Sequence, residues 1–528
     1  MRKAISNGVL CILMNISAFC LGQAGRLDPS FSGDGRVVTN FPGGGQPAVD
    51  ARAFGVAIQS DGRIVAAGFS GNNFALTRYN TDGTLDTSFS GDGRVITSFG
   101  SDAQARAVAI DSAGRIVAVG FAGNDFALAR YNADGTLDTS FGNNGRVITD
   151  FGGTDQANAV ALQTIGGEEK IVAVGFATVG NESKFALARY NANGTLDPSF
   201  GTNGRVITDS GSDAQANAVT IQADGRIVVV GFETVNNRDQ FLLVRYDANG
   251  TTSARQVATF GGITARANAV VIDVRSDRIF AAGFAGNNFA LAQFNATTLS
   301  IGVTDQIITS LGARSQANAV VLQSDFKIIA AGFRGNNFAV VRYNDDGRTL
   351  DTTFGNNGRV FTNFGGTDVA QAAAIDSAGR LVVAGFSVIS GRGRFALARY
   401  LIPSATPIPT FVTITSATPP DGSTIGAGTA ESLEGTASAG STVTVFDSSN
   451  SGEFVAIGTT SVDGTSNWKF KAEGLALGKH IFVAAITDSD GQTVSKLSNT
   501  VTITVVERAA GDSAWLQAIS DKYCKNCR

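Results

Sequence analysis

The chain has one histidine, His480, in 528 residues. Residues 1–479 therefore contain no imidazole. That excludes Ser–His–Asp and Cys–His nucleophilic catalysis there, together with His-ligated zinc or iron and histidine general bases. His480 lies between Lys479 and Ile481 in an alternating run and reads as a structural strand residue. Cysteine is also scarce, with 4 in the chain: Cys11, Cys20, Cys524 and Cys527. No disulfide framework can hold the long middle of the chain. Charge of one sign is missing too: Lys and Arg number 41 against 45 Asp and Glu, and the two signs alternate along the chain. No basic stripe suits a phosphate backbone, so no nucleic-acid partner is expected. Beyond residue 24 no apolar run is long enough to cross a bilayer, which leaves no span in a mature chain. Proline is rare at 9 residues while glycine reaches 64, a balance that suits many tight turns between strands.

The first 24 residues differ from the rest. Arg2 and Lys3 precede an apolar run from Val9 to Leu21, then Gly22, Gln23 and Ala24. A basic start, a short apolar core and small residues before Gly25 read as a secretory signal peptide over 1–24. The expected location is secreted or on the cell surface. Cleavage would also remove Cys11 and Cys20.

Seven copies of one unit follow. Each runs A-x-A-V-A-I-Q, a tight turn, R-I-V-x-A-G-F, then N-F-A-L-x-R-Y, L-D-x-S-F and G-R-V-I-T. The Gly of the G-F step recurs at Gly68, Gly120, Gly175, Gly231, Gly283, Gly332 and Gly385. Short strands repeated about every 50 residues predict an all-β fold, a seven-bladed β-propeller over 25–402. The alternating alanines of A-x-A-V-A-I-Q suit the crowded axis, so this strand is expected innermost and G-R-V-I-T outermost. In that phase the chain begins with an outer strand, Gly35–Phe41, and its last copy ends at Phe395–Tyr400 without one. The N-terminal strand should complete the last blade and remove two exposed edges.

On these stretches the units resemble delta-60 repeats, a bacterial family of similar repeat length. They are more distantly similar to NHL repeats, through runs such as Ala107–Asp111 and Ser112–Gly120. The resemblance covers Leu27–Tyr400 and implies a propeller-like fold; the delta-60 family is defined by its repeat and implies no reaction. L-D-x-S-F is replaced at Ala254–Phe260 and at Ser300–Thr304, where the outer strands are expected to be looser or to face a partner.

A Pro-rich linker, 403–410, separates a second region. Seven alternating runs over 411–507 predict a small immunoglobulin-like β-sandwich. Glu434–Val445, Asn467–Phe470 and Leu497–Ile503 resemble bacterial Ig-like modules of surface proteins, and Trp468 is expected in the core. A tail over 508–528 ends in Cys524-Lys525-Asn526-Cys527. With no second Cys pair, a local disulfide between Cys524 and Cys527 is the simplest reading. An intermolecular link through them is the alternative to a monomer.

Residues that recur across the copies are expected to build blades. Asp28, Asp86, Asp138, Asp197 and Asp351 share the L-D-x-S-F position and should cap turns. Arg78, Arg130, Arg189, Arg245, Arg342 and Arg399 share a strand position and should pack or bond between blades. A site must lie where copies differ. The position two before the inner-strand Val or its equivalent is read as Arg52, Arg106, Asn158, Asn217, Asn268, Asn318 and Ala373. Arg52, Arg106, Asn158, Asn217, Asn268 and Asn318 are the candidate ligand-binding residues, ringing one mouth of the channel. The nearby loops add Asp102, Asp155, Asp213 and Asp368, with Asn124 and Asp125 among the second-to-third-strand loops. No catalytic or metal residues are assigned and no cofactor is expected. Calcium has no supporting motif, because the D-G turns lack alternating ligands and a closing Glu. The expected function is a non-enzymatic binding or adhesion-type scaffold for a glycan or protein. Its alternatives are a hydrolase or lyase using carboxylates and Arg at the mouth, and a structural envelope or matrix component.

Overall fold

The computed structural model describes residues 24–41 and 49–402, and eight strands between 413 and 506. Residues 1–23 of the expected signal segment, the linker 403–410 and the tail with Cys524 and Cys527 lie outside the described residues. The chain divides into two compact units, 1–403 and 404–528. Among the described residues no helix is long and apolar enough to cross a membrane.

The first unit is a seven-bladed β-propeller. Each blade is an antiparallel sheet of four strands. The inner strands are Ala51–Ile58, Ala103–Ile110, Asp155–Ile165, Ala214–Ile221, Ala265–Asp273, Ser315–Leu322 and Thr367–Ile375, in blades 1 to 7. Successive inner strands lie against one another, which places them around the axis. The alanine alternation explains this: Ala103 and Ala105 are fully buried and small enough for strands to converge. Blade 7 is completed by Arg36–Thr39, paired with Arg392–Tyr400 from Arg36 opposite Ala398 to Thr39 opposite Phe395. The repeat phase required this closure.

The core lies between blades rather than within them. Val65, Ala67, Phe74 and Leu76 of blade 1 pack with Ala103, Ile116 and Ala118 of blade 2 in one buried cluster. Each fully buried large aliphatic or Phe side chain contributes roughly 1.5–3 kcal/mol. A polar tie accompanies six of the seven apolar seams. Tyr131 at the end of a third strand donates to Thr97 Oγ1 of the preceding outer strand at 2.8 Å. Tyr79–Thr39, Tyr190–Thr149, Tyr246–Thr208, Tyr343–Thr309 and Tyr400–Thr362 repeat the pair at 2.6–2.8 Å. The seam between blades 4 and 5 departs from it. There Phe294 replaces the tyrosine and Ala258 the threonine, both buried, so neither hydroxyl is left orphaned.

The altered outer strand of blade 4 is not loose. Thr252–Ala258 pairs with the third strand at six positions, where the outer strand of blade 1 pairs at four. Arg255 on this strand forms an ion pair with Glu233 of the second strand.

The second unit contains two sheets. One orders Thr413–Thr418, Glu431–Thr436 and Asn467–Ala472. The other orders Thr424–Gly426, Val501–Val506, Gly478–Thr487, Thr442–Ser449 and Val455–Ser461. Leu433, Val445, Trp468 and Phe482 are buried. The strand Thr424–Gly426 has no counterpart in the sequence expectation; its three residues are too few to show an alternation, and it pairs parallel to Thr504–Val506.

Candidate functional site

Every inner strand carries a β-bulge. In blade 2 the register breaks between Ala105 and Ala107, leaving Arg106 unpaired, and the other six blades break at the same point. The recurring Gly of the G-F step faces that break. A Cβ on Gly120 would lie 1.9 Å from Gln104 O, so only glycine fits beside the bulge. A bulge re-aims the side chain it releases. The released residues are Phe54, Arg106, Asn158, Asn217, Asn268, Asn318 and Gln371.

This corrects the sequence-derived ring at two places. Arg52 pairs with Phe69, as Gln104 pairs with Phe121, so Arg52 precedes the bulge by two residues. Ala373 pairs with Val383, beyond the bulge. Phe54 and Gln371 hold the ring positions in blades 1 and 7.

Four members of the ring have a structural occupation. The amide Nδ2 of Asn158 donates to Ala216 O at 2.8 Å, and Asn217, Asn268 and Asn318 donate likewise to Ala267, Ala317 and Ala370. Each bond joins one inner strand to the next, so blades 3 to 7 are stitched around the axis.

The stitching stops where the copies disagree. At Gln371, Phe54 and Arg106, in blades 7, 1 and 2, a cavity of about 600 Å³ opens. It is lined by Asp50, Arg52, Phe54, Phe69, Gly71, Asn72, Asp102, Gln104, Arg106, Gln371 and Phe386. Phe54 stacks near Phe69 with ring centroids 5.8 Å apart. The Arg106 guanidinium lies over Phe54 at 4.5 Å, and that of Arg52 over Phe386 at 4.9 Å. Cation–π contacts of this kind hold a guanidinium flat against a ring. Arg52 has Asp50 at 3.4 Å, while Asp50 Oδ1 also accepts the Gly393 N–H at 2.6 Å. Arg106 has no carboxylate partner among the described residues. With the Gln156 amide oxygen turned toward it, that oxygen accepts from Nε at 3.0 Å and from Nη2 at 3.1 Å. Burial lowers the Arg106 pKa, but an arginine stays charged in a protein. The cavity therefore presents a half-buried cation without a counter-anion.

The recurring Asp and Arg positions lie elsewhere and build seams. Asp86 Oδ1 accepts from the Ser88 N–H at 3.0 Å and hydroxyl at 2.6 Å, and Oδ2 accepts from Arg78 Nε at 2.7 Å. Arg78 also donates to Ala133 O of the next blade and covers the Phe89 ring at 4.6 Å. Asp28, Asp138 and Asp197 repeat this with Arg399, Arg130 and Arg189. Asp351 pairs with Arg342 at 2.9 Å. Turn capping is thus joined to a cross-blade tie. Arg245 has no such Asp and donates to Ala296 O and Thr297 O.

Sequence reasoning missed the Tyr–Thr ties, although a Tyr recurring one residue after the strand Arg was visible. It also missed a carboxylate group. One oxygen from each of Asp125, Asp150 and Asp155 lies within 4.8 Å of the others. Asp213, from the same set of loops, instead accepts the Ser183 N–H at 2.8 Å.

Residues 59–89, 114–141, 170–200 and 222–252 match the family model described as a domain of unknown function (DUF5122) beta-propeller. No curated protein matches the chain. Similar solved structures include a Bacteroides uniformis protein provisionally assigned as a 6-phosphogluconolactonase. It is 11% identical, covers 62% of this chain and 96% of its own, and has a TM-score of 0.42, a likeness that supports no statement about activity.

Proposed function

We propose that the protein is a non-enzymatic recognition scaffold that binds an acidic glycan in the cavity between blades 7, 1 and 2. The observation that carries this reading is the broken ring. Four copies spend their bulge residue on stitching blades, and the three that do not surround a cavity with an unpaired Arg106. A planar guanidinium held against Phe54 favours bidentate pairing with a carboxylate or sulfate. Asn72, Gln104 and Gln371 in the same lining suit sugar hydroxyls.

The remaining parts fit an exported protein. The signal-like start would carry the chain out of a bacterial cell, the repeats are delta-60 in type, and the second unit is an immunoglobulin-like spacer. The hydrolase or lyase alternative calls for two carboxylates facing one reacting atom. Asp50, one of two in the cavity, is already committed to Arg52 and the Gly393 N–H, which favours binding over catalysis.

The test is a panel of uronate-bearing and sulfated oligosaccharides, with neutral analogues and acidic peptides as separate arms. Binding of acidic sugars should fall at least tenfold in Arg106→Ala, and Asn217→Ala should retain it. Equal binding by Arg106→Ala, or binding confined to neutral sugars, sinks the proposal. Preference for the acidic peptides would move the ligand class to protein.

A further inference from the structure

Blades 3 and 7 begin alike. D-F-G-G-T-D at Asp150–Asp155 corresponds to N-F-G-G-T-D at Asn363–Asp368. In both, the final Asp accepts on Oδ2 the N–H of the Phe four residues earlier, at 2.6 Å from Phe151 and 2.7 Å from Phe364. Its own N–H donates to the preceding blade, to Asn124 O at 2.6 Å or Asn336 O at 3.0 Å. The first side chain of each hexapeptide accepts the Gly N–H two residues on, at 2.5 and 2.6 Å.

The two places then part. In blade 7 the Ser387 hydroxyl donates to Asp368 Oδ1 at 2.5 Å. In blade 3 the residue at that register is Ala177. Asp155 is 1% exposed, and its Oδ1 is buried with no hydrogen-bond partner. The flanking positions are neutral in blade 7, Asn337 and Asn363, and acidic in blade 3, Asp125 and Asp150. Among the described residues none of the three carboxylates forms an ion pair. One frame thus carries a neutral, saturated site in blade 7 and a triply acidic, unsaturated one in blade 3.

We propose that Asp125, Asp150 and Asp155 hold one calcium ion at the seam of blades 2 and 3. All donors are oxygen, which excludes a zinc-type preference for nitrogen and sulfur. The donors come from two chain segments, Asp125 from one loop and Asp150 and Asp155 from the next, with Asp155 buried and Asp150 exposed, leaving room for water; calcium accepts such irregular sets of six to eight oxygens, whereas magnesium demands a near-ideal octahedron. Asp155 precedes Gln156, whose amide meets Arg106, so the ion would also fix one wall of the neighbouring cavity.

The test rewrites blade 3 as blade 7 with the triple variant Asp125→Asn, Asp150→Asn, Ala177→Ser. Chelator-treated full-length protein and variant are titrated calorimetrically with calcium chloride. The wild type should bind one calcium more than the variant, with Kd of roughly 10⁻⁴–10⁻³ M, the range of extracellular calcium modules. Its melting temperature should rise with calcium, and magnesium should bind at least tenfold more weakly. Equal calcium stoichiometry in both proteins, no binding by the wild type, or equal affinity for magnesium each overturns the proposal. Should the triple variant lose its cooperative melt, Asp150→Asn alone, at an exposed position, must weaken calcium at least tenfold; unchanged affinity overturns the proposal as well.

Discussion

Replacing Tyr131 by Phe and Thr97 by Ala, singly and together, tests whether the seams are held by paired hydroxyls. Tyr131 is fully buried and Thr97 is 2% exposed, with their oxygens 2.8 Å apart. Tyr131→Phe strands the Thr97 hydroxyl in a dry seam, at a cost of about 1–3 kcal/mol. Thr97→Ala strands the phenol at a similar cost. The double variant recreates the Phe294–Ala258 pair that the seam of blades 4 and 5 already tolerates. It should therefore cost less than the sum of the single changes by at least about 1 kcal/mol. Six of the seven tyrosines lie in the propeller and both tryptophans lie beyond residue 404, so near-ultraviolet tyrosine signals follow the propeller's own transition during chemical denaturation. Penalties that add to within about 0.5 kcal/mol would mean the two hydroxyls are independent, and the reading of the seam would be wrong.

Glycine at the G-F step should be far less replaceable than glycine in a turn. Gly120→Ala forces a Cβ to within 1.9 Å of Gln104 O and should cost about 3 kcal/mol, the upper part of the range for overpacking. Gly114→Ala meets nothing within 4 Å and should cost only about 1–2 kcal/mol for its positive φ; equal melting temperatures for the two variants would refute the bulge argument. Acid should weaken the seams through carboxylates such as Asp351. Burial raises its pKa, but Lys327, Thr353 and Arg342 outweigh this and hold it down to about 2. A depressed folded-state pKa gives stability that is present above the unfolded value of about 3.9 and is lost as pH falls toward 2. Asp351→Asn should flatten the stability profile between about pH 4 and pH 2, by roughly 2–3 kcal/mol; an unchanged slope in acid titration would remove Asp351 as a contributor.

The sequence revealed the blades because their signals are local. The G-F step, the D-G turns and the alanine alternation each act within a few residues, and the phase of the copies at the two ends dictated the closing strand. The site was legible only in part. Arg106 was identified and does line the cavity, but Arg52 was aligned with it by counting along an alternating strand. Aligned instead on V-A-I at Val56 and Val108, Phe54 stands opposite Arg106 and Arg52 opposite Gln104, an offset of two residues that the pairing of Arg52 with Phe69 bears out. The four Asn looked like a ligand rim because their partners are backbone carbonyls about 50 residues away, which leave no trace in side-chain identity. Asp125 and Asp155 were visible singly as loop residues, and Asp150 was not singled out. Their convergence depends on how a second-to-third-strand loop of one blade meets the start of the next.

The way the ring is closed also sets how it would fail under tension. Gly25 N–H donates to Leu401 O, Leu27 bridges Tyr400, Asp28 N–H donates to Arg399 O, and Arg36–Thr39 then follow Ala398–Phe395. A force pulling residues 25 and 402 apart meets these bonds one after another, as a zipper, rather than all together in shear. Blade 7 is therefore the mechanical fuse of the propeller: it would open first and at low load, while blades 1 to 6, each formed from one continuous stretch of chain, remained shut.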